Sequence, residues 1–370
     1  MKKHQIVVNR KEFEKELAIA KKVIAGKHNL CIIENVVLSF MPESLVLQCT
    51  NLEHSYLGVI GKPINRKYRI SEKTPKVLVS IDRLTNVVKS ISKKATEIPL
   101  EITWDGDGLL INGTTTIIAG GKYDDYPTLP KLPWGLSHNV LSSEKIDQLS
   151  GISFGDDKRE HIRCLYVNGP AGQLASTDGS RLYIATIPKT DHMKPFLLPK
   201  KTASILTSPQ LKNEIGDVRI TDLYAFVETG HGFMCVRLPE GEFPDYNRIM
   251  PDHDPVAIIS TPDKQDMIDI MAEAAAILNQ SYAGVVFSLD NNLVVTATNP
   301  DCGEYKKDIS DMFTHDGAGF EMAFNQAFIV DACKSIKDRG MNMYIWGNEY
   351  PAAFESAAGD FKALLMPMRI

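Results

Sequence analysis

The chain has 370 residues, 44% of them hydrophobic and 24% charged, which is the composition of a folded protein too long for one core, so two or three domains are expected. Its formal charge of −5 argues against a nonspecific nucleic-acid coat. No apolar run reaches the length of a signal peptide core or a membrane span, and the cytoplasm is the expected compartment.

In chain order, the first helix is expected where Phe13, Leu17, Ala20 and Ile24 share one face and Lys11, Lys15 and Lys22 the other. A hairpin follows: Asn35–Phe40, a turn at Pro42-Glu43-Ser44, then Leu45-Val-Leu-Gln-Cys-Thr50-Asn51. Val77 to Ser80 reads as a strand running into a second helix, with Leu84, Val87, Val88 and Ile91 buried and Lys89 and Lys93 opposite. Tyr123-Asp-Asp-Tyr-Pro127 closes the segment, and the proline-rich stretch 127–133 reads as a linker.

The same order then returns. Arg163–Asn168 and Gln173-Leu-Ala-Ser-Thr177-Asp178 form the next hairpin around Gly169-Pro-Ala-Gly172, and Phe196 to Thr202 reads as strand into helix. Phe243-Pro-Asp-Tyr246 matches the earlier closing phrase. A third hairpin joins Gly284–Leu289 to Leu293-Val-Val-Thr-Ala-Thr298-Asn299, preceded by a helix with Met267, Met271, Ala274 and Leu278 inward and Asp269 and Ala276 outward. Phe320 to Phe328 again runs from strand into helix, with Lys334 facing out. The three Thr-Asn/Asp phrases are 127 and 121 positions apart, a domain-sized period, so one domain is read three times in tandem. The expected boundaries are 1–132, 133–255 and 256–370. Each copy reads as two helices against about eight antiparallel strands, an α+β fold. Net charge falls from +6 through −3 to −8 along the copies, which would draw first to last copy in a head-to-tail contact between two chains.

Chemistry-bearing motifs are scarce. The six cysteines, at 31, 49, 164, 235, 302 and 333, contain no Cys-x-x-Cys pair and are expected as buried thiols. P-loop, zinc-protease and dinucleotide-binding signatures are absent, so neither catalysis nor a cofactor or metal is expected. The acidic residues Asp105, Asp107, Asp124 and Asp125 keep one rival reading alive, a metal-dependent phosphoesterase, although the first pair suits a hairpin turn.

Thr177-Asp-Gly-Ser-Arg-Leu182, Gly241-Glu-Phe-Pro-Asp-Tyr-Asn-Arg248 and Leu364-Leu-Met-Pro-Met-Arg-Ile370 together resemble the bacterial DNA sliding clamp, the beta subunit of DNA polymerase III, in register with all three repeats. Ser180 departs from that pattern, where His is common. The resemblance implies a homodimeric ring closed head to tail around duplex DNA, non-catalytic, with the DNA polymerase III catalytic subunit, the clamp loader, and other polymerases and repair proteins as partners. A clamp paralogue from a plasmid or phage, or a resistance copy, fits the same residues. The resemblance also implies a cleft for short partner peptides. Its residues here are Arg159, His161 and Ile162; Thr177, Gly179, Ser180, Arg181 and Leu182; Pro244, Arg248 and Ile249; Asn325 and Phe328; and Leu364, Leu365, Met366, Pro367, Met368 and Arg369. Lys27 matches a family position that touches DNA, and Ile277, Leu278 and Ile117 match the dimer contact. Lys11, Lys15, Lys22, Lys89 and Lys93 are pore candidates from helix faces alone.

Overall fold

The computed structural model describes residues 4–26, 30–63, 70–103, 107–152, 159–279, 281 and 283–369. The first repeat contributes β1 (Gln5–Asn9), α1 (Arg10–Ile24), β2 (Asn35–Phe40), β3 (Ser44–Thr50), β4 (His54–Gly61), β5 (Lys76–Ser80), α2 (Ile81–Ser90), β6 (Glu97–Ile102), β7 (Gly108–Ile111) and β8 (Thr115–Ile118). The second has α3 (Ser143–Leu149), β9 (Cys164–Asn168), β10 (Gln173–Thr177), β11 (Arg181–Thr186), β12 (Phe196–Pro199), α4 (Lys200–Leu206), β13 (Ile215–Ile220), β14 (Tyr224–Thr229) and β15 (Gly232–Arg237). The third has β16 (Ala257–Thr261), α5 (Lys264–Ala275), β17 (Gly284–Leu289), β18 (Leu293–Asn299), β19 (Gly303–Asp308), β20 (Thr314–Gly317), β21 (Phe320–Asn325), α6 (Gln326–Ser335), β22 (Met341–Ile345), β23 (Ala352–Ser356) and β24 (Phe361–Leu365).

Two local devices recur and explain why the sequence looks repetitive. At β1–α1, β5–α2 and β21–α6 a strand runs straight into a helix through a polar cap: Asn9, Ser80 and Asn325 accept from the backbone N–H of Lys11 and Glu12, of Arg83, and of Ala327. Such a cap is worth about 1 kcal/mol. The second device is the Thr-Asn/Asp phrase. Asn51 Oδ1 accepts from Glu53 and His54 N–H, Asp178 Oδ1 from Ser180 and Arg181 N–H, and Asn299 Oδ1 from Asp301 N–H. Each is an Asx turn that reverses one strand into the next.

The sheets repeat as well. The orders β4-β3-β2-β5, β11-β10-β9-β12 and β19-β18-β17-β21 are one topology, and β1-β6-β7-β8 and β16-β22-β23-β24 are another. In the middle repeat the latter is β13-β14-β15, and its first strand is reduced to the His138–Val218 bridge. β20, which sequence reading did not separate, adds to β16 as an extra edge strand.

Strand pairing runs across the expected repeat boundaries. β15 pairs antiparallel with β4, and β24 with β11, giving continuous seven- and nine-stranded sheets. The chain accordingly clusters into two compact units, Met1–Ser143 with Ser204–Leu238 and Glu144–Ala203 with Pro239–Ile370. In the first, α1 buries Phe13, Leu17, Ile19, Ala20 and Val23, each large side chain contributing roughly 1.5–3 kcal/mol. Of the thiols, Cys49, Cys164, Cys235 and Cys333 are buried, whereas Cys31 and Cys302 are exposed, a correction to the expectation of six buried ones. Cys31 opens a short 3-10 helix and Cys302 sits in a turn, neither governed by the alternation of neighbouring strands. No helix among the described residues is long and apolar enough to cross a membrane.

Candidate peptide cleft and helix faces

The cleft residues gather within the second unit, around the junction of β11 and β24. Thr177 Oγ1 donates to the Arg181 carbonyl (2.7 Å) and accepts from Gly179 N–H (3.1 Å), which closes the turn leading into β11. Gly179 has φ +91°, a backbone state that glycine adopts without strain. Leu182 lies directly opposite Leu364. Together with Ala175, Ile184, Tyr246 and Ala353 they form a buried floor, and half-buried Tyr166, Phe243, Met250, Tyr344 and Trp346 pack around it. Tyr166 stacks on Phe243 with ring centroids 4.9 Å apart.

Beyond β24 the chain leaves the sheet. Met366 N–H donates to the Ser180 carbonyl (3.0 Å) and Met368 N–H to the Ala323 carbonyl (2.7 Å), so residues 366–368 bridge from the β11 turn to β21. Pro367, which has no N–H to give, stands between these two donors. Met366 and Met368 are each 40% exposed, as is Ile249 on the far rim. These three exposed, flexible or branched apolar side chains add to the apolar surface of this region, which can repack around different ligands.

The structure sorts the remaining expected residues. Arg159, Gly179, Ser180, Pro244, Arg248 and Arg369 are exposed, and Thr177, His161, Phe328 and Pro367 are half-buried. His161 lies against Gly241, bringing the 160–163 turn to the 241–249 segment. Ile162 and Leu365 are 3% and 1% exposed and belong to the core. Leu365 falls on the sheet face opposite Leu364 by strand alternation. Asn325 is spent as the cap of α6.

Arg181, expected among the residues that line the cleft, is instead buried. Its side chain is 3% exposed, its Nε pairs with Asp178 (2.9 Å), its guanidinium with Asp331 on α6 (2.8 Å), and it lies 4.2 Å from the Phe328 ring centroid. Burial works against the charge, yet the hydrogen bond it donates to Asp331, with Tyr183 and Asp178 beside it, leaves its pKa above the ordinary value. It ties α6 to the β10–β11 turn. Asp331 and the aromatic wall were not anticipated from sequence; Phe243 and Tyr246 were visible in the Phe-Pro-Asp-Tyr phrase, whereas Asp331, 150 positions from Arg181, carries no local signal.

Lys11 on α1 and Lys89 on α2 are exposed; Lys93 is exposed too, but α2 stops at Ser90, so Lys93 stands in the turn beyond it and not on the helix face expected to carry it. Lys15 instead pairs with Glu214, and Lys22 Nζ donates to Gln210 Oε1 (3.2 Å), both within the first unit. Lys27 lies outside the described residues. Ile117 is 5% exposed and its neighbour Ile118 73%, while Ile277 and Leu278 are half-buried just past α5.

Asp105 of the phosphoesterase set lies outside the described residues, and Asp124 and Asp125 are exposed in a short turn. Among the described residues no group of three or more His, Cys, Asp or Glu gathers to hold a metal. One catalytic spacing does occur, Gly151-Ile-Ser-Phe-Gly155. The serine lies outside the described residues, but the phrase follows helix α3, whereas a nucleophile elbow needs a strand before it.

Comparison with known proteins agrees with this geometry. Residues 4–130 match the family "DNA polymerase III beta subunit, N-terminal domain" and residues 247–369 the corresponding C-terminal domain. The chain belongs to the bacterial beta sliding-clamp family. The beta sliding clamp of Pseudomonas aeruginosa is 24% identical over 380 residues, covering 98% of this chain and 99% of that protein. The clamp of Chlamydia pneumoniae is 24% identical over 382 residues, covering 99% of each. Among solved structures, a Pseudomonas aeruginosa clamp bound to griselimycin superposes with TM-score 0.83 at 22% identity, covering 100% of both chains. The Bacillus subtilis clamp gives 0.83 at 14% identity, again over 100% of both chains. The clamp fold is therefore retained where most side chains differ.

Proposed function

We propose that two copies of this chain close head to tail around duplex DNA and hold polymerases and other replication factors to it, acting as a sliding clamp without chemistry of its own. The carrying observation is a pair of unused edges. β8 ends its sheet where β15 and β24 stand in theirs, and β19 ends its sheet where β4 and β11 stand. Internally, those positions pair with each other. By the same rule β8 of one copy pairs with β19 of another, and because both edges occur once per chain, two such contacts close a ring. Carrying over the register of β15 on β4 sets Ile117 opposite Tyr305 and Ile118 opposite Glu304. Ile277 and Leu278 flank that joint, and the charges of +6 and −8 on the first and last repeats favour it.

In this reading the repeats divide near residues 132 and 255, and Lys11, Lys89 and Lys93 meet the phosphates, with Lys15 and Lys22 partly held back by Glu214 and Gln210. A ring retains DNA by topology, so few and salt-sensitive contacts suffice. The cleft on the second unit takes short partner peptides through apolar anchors. Each anchor gains roughly 1.5–3 kcal/mol, giving exchangeable binding near the micromolar range after ordering costs. The test is retention on DNA: the loaded protein should stay on a nicked circle and run off after linearisation. Retention on both, or cleavage of the DNA with magnesium or manganese, refutes the reading.

A further inference from the structure

The two internal sheet joints are structural equivalents, yet only the one in the second unit carries the cleft described above. In register, Thr50 faces Ser55 as Thr177 faces Leu182, so Leu57 stands where Ile184 stands. Phe233 of β15 lies opposite Leu57 as Lys362 of β24 lies opposite Ile184. On the joint of the first unit, over Leu57 and Phe233, lies a groove of about 1220 Å³. Tyr126, the counterpart of Tyr246 in the closing phrase, forms part of its wall, and residues 127–135 run along it. Three prolines fix that segment as an extended wall.

The groove has its own chemistry. Leu57, Phe233 and half-buried Leu132 are apolar, and Trp134, 76% exposed, stands at its edge. Its charged lining among the described residues is cationic, Lys76, Lys131 and Arg219, with no carboxylate. Arg219 is matched by Glu228 at 2.5 Å. Lys76 lies 4.2 Å from the Tyr123 ring centroid and has no carboxylate partner among the described residues, nor has Lys131. In a chain of net charge −5, two cations that no carboxylate among the described residues neutralises, beside an apolar groove, select a ligand with apolar anchors and negative charge.

We propose that this groove is a second docking site, for an extended peptide in which an apolar pair is flanked by acidic residues. A single nucleic-acid strand needs a continuous track of cations for its phosphates as well as stacking platforms; here one of the three lining cations, Arg219, is paired with Glu228, and Lys76 and Lys131 border a floor of Leu57, Phe233 and Leu132 that suits apolar anchors. The inference takes from the proposed cleft only the notion that such joints seat peptides, and its test separates the two.

The probe is a fluorescein-labelled synthetic peptide with a Leu-Phe pair between two aspartates on each side, titrated by calorimetry and anisotropy into the full chain. A variant with Lys76→Glu and Lys131→Glu should lose one peptide site, with at least a tenfold loss of affinity there. Removing residues 366–370 should leave that site intact. The same peptide with lysines for aspartates should bind the groove at least tenfold more weakly. Binding that survives the double charge reversal unchanged, or no binding at all, overturns the proposal, as does displacement of the peptide from this site by oligo(dT). Loss of a site on tail removal alone, with another still dependent on the lysines, supports both sites; no effect of tail removal, with the lysine dependence intact, removes the cleft and leaves the groove standing.

Discussion

Glu16 sits in the middle of α1, only 5% exposed, where its carboxylate accepts from the Tyr56 hydroxyl at 2.7 Å. Gly58 makes the space for it, because a Cβ there would collide with Glu16 Oε2. Burial pushes the carboxyl up to about 7 from an ordinary 4.5. The Tyr56 bond and Lys15 pull it back down, and Glu214 and Glu12 add to the rise. A group whose folded pKa is raised binds its proton more tightly in the native state, so its contribution to stability is complete below pH 4.5 and declines as pH rises through about 7. The whole displacement corresponds to about 3 kcal/mol.

Glu16→Gln keeps the shape and an oxygen for Tyr56 but removes the titration. Urea unfolding of the first unit can be followed by a fluorophore on exposed Cys31, with Cys302→Ser to make the label unique. Between pH 5 and 8 the wild-type unit should lose about 2.5 kcal/mol relative to the variant, leaving the variant the more stable at pH 8. Parallel curves for the two proteins across that interval would refute the burial argument.

Ile277→Ala combined with Leu278→Ala should yield monomers in sedimentation, and an intact dimer would remove those residues from the joint. Deleting residues 366–370 should leave the ring on DNA while abolishing polymerase stimulation; undiminished stimulation would count against the cleft. Arg181→Met strands Asp178, whose side chain is 16% exposed, and frees the half-exposed Asp331 to water, so a cost of about 2 kcal/mol in urea unfolding is expected, and a value near zero would show that the tie between α6 and the β10–β11 turn contributes nothing. Lys89→Glu with Lys93→Glu should shorten residence on circular DNA and lower its salt dependence by roughly two counterions, and an unchanged salt slope would move the DNA path away from α2.

What could be read from sequence was whatever is built locally. The Thr-Asn/Asp phrases were legible because an Asx turn closes within three residues, and the strand-to-helix junctions because a cap and the stripe behind it are neighbours in the chain. The α1 stripe of Phe13, Leu17, Ala20 and Ile24 is buried as its periodicity required. Long-range pairings left no such trace. Helical periodicity set Lys15 and Lys22 outward, but it could not foresee that Glu214 and Gln210, nearly 200 positions away, would meet them. Arg181 falls among the cleft residues by motif position, which gives no burial; its two carboxylate partners decide its role. Leu365 went to the cleft with Leu364 because a run of apolar residues hides the alternation that separates two faces of a strand.

The sheet joints also suggest why the first and last repeats carry the most uneven charge. Each internal joint is an antiparallel strand pair between segments already on one chain, so it forms at a high effective concentration and needs little beyond backbone pairing and an apolar floor. The joint of β8 with β19 has no such advantage. In the proposed ring it would form between separate molecules, where association itself costs several kcal/mol, and a closed ring would have to open to admit circular DNA. An edge made only of large apolar side chains would seal the ring or aggregate in solution. β19 is mostly exposed and bears Glu304, Lys306 and Asp308, and Ile118 of β8 is exposed; paired as proposed, they would offer a smaller apolar contact with polar flanks. Long-range attraction between a +6 and a −8 repeat then raises the encounter rate more than the depth of the bound state. The expected outcome of that balance, on the proposed joint, is a ring that closes readily and can still be opened.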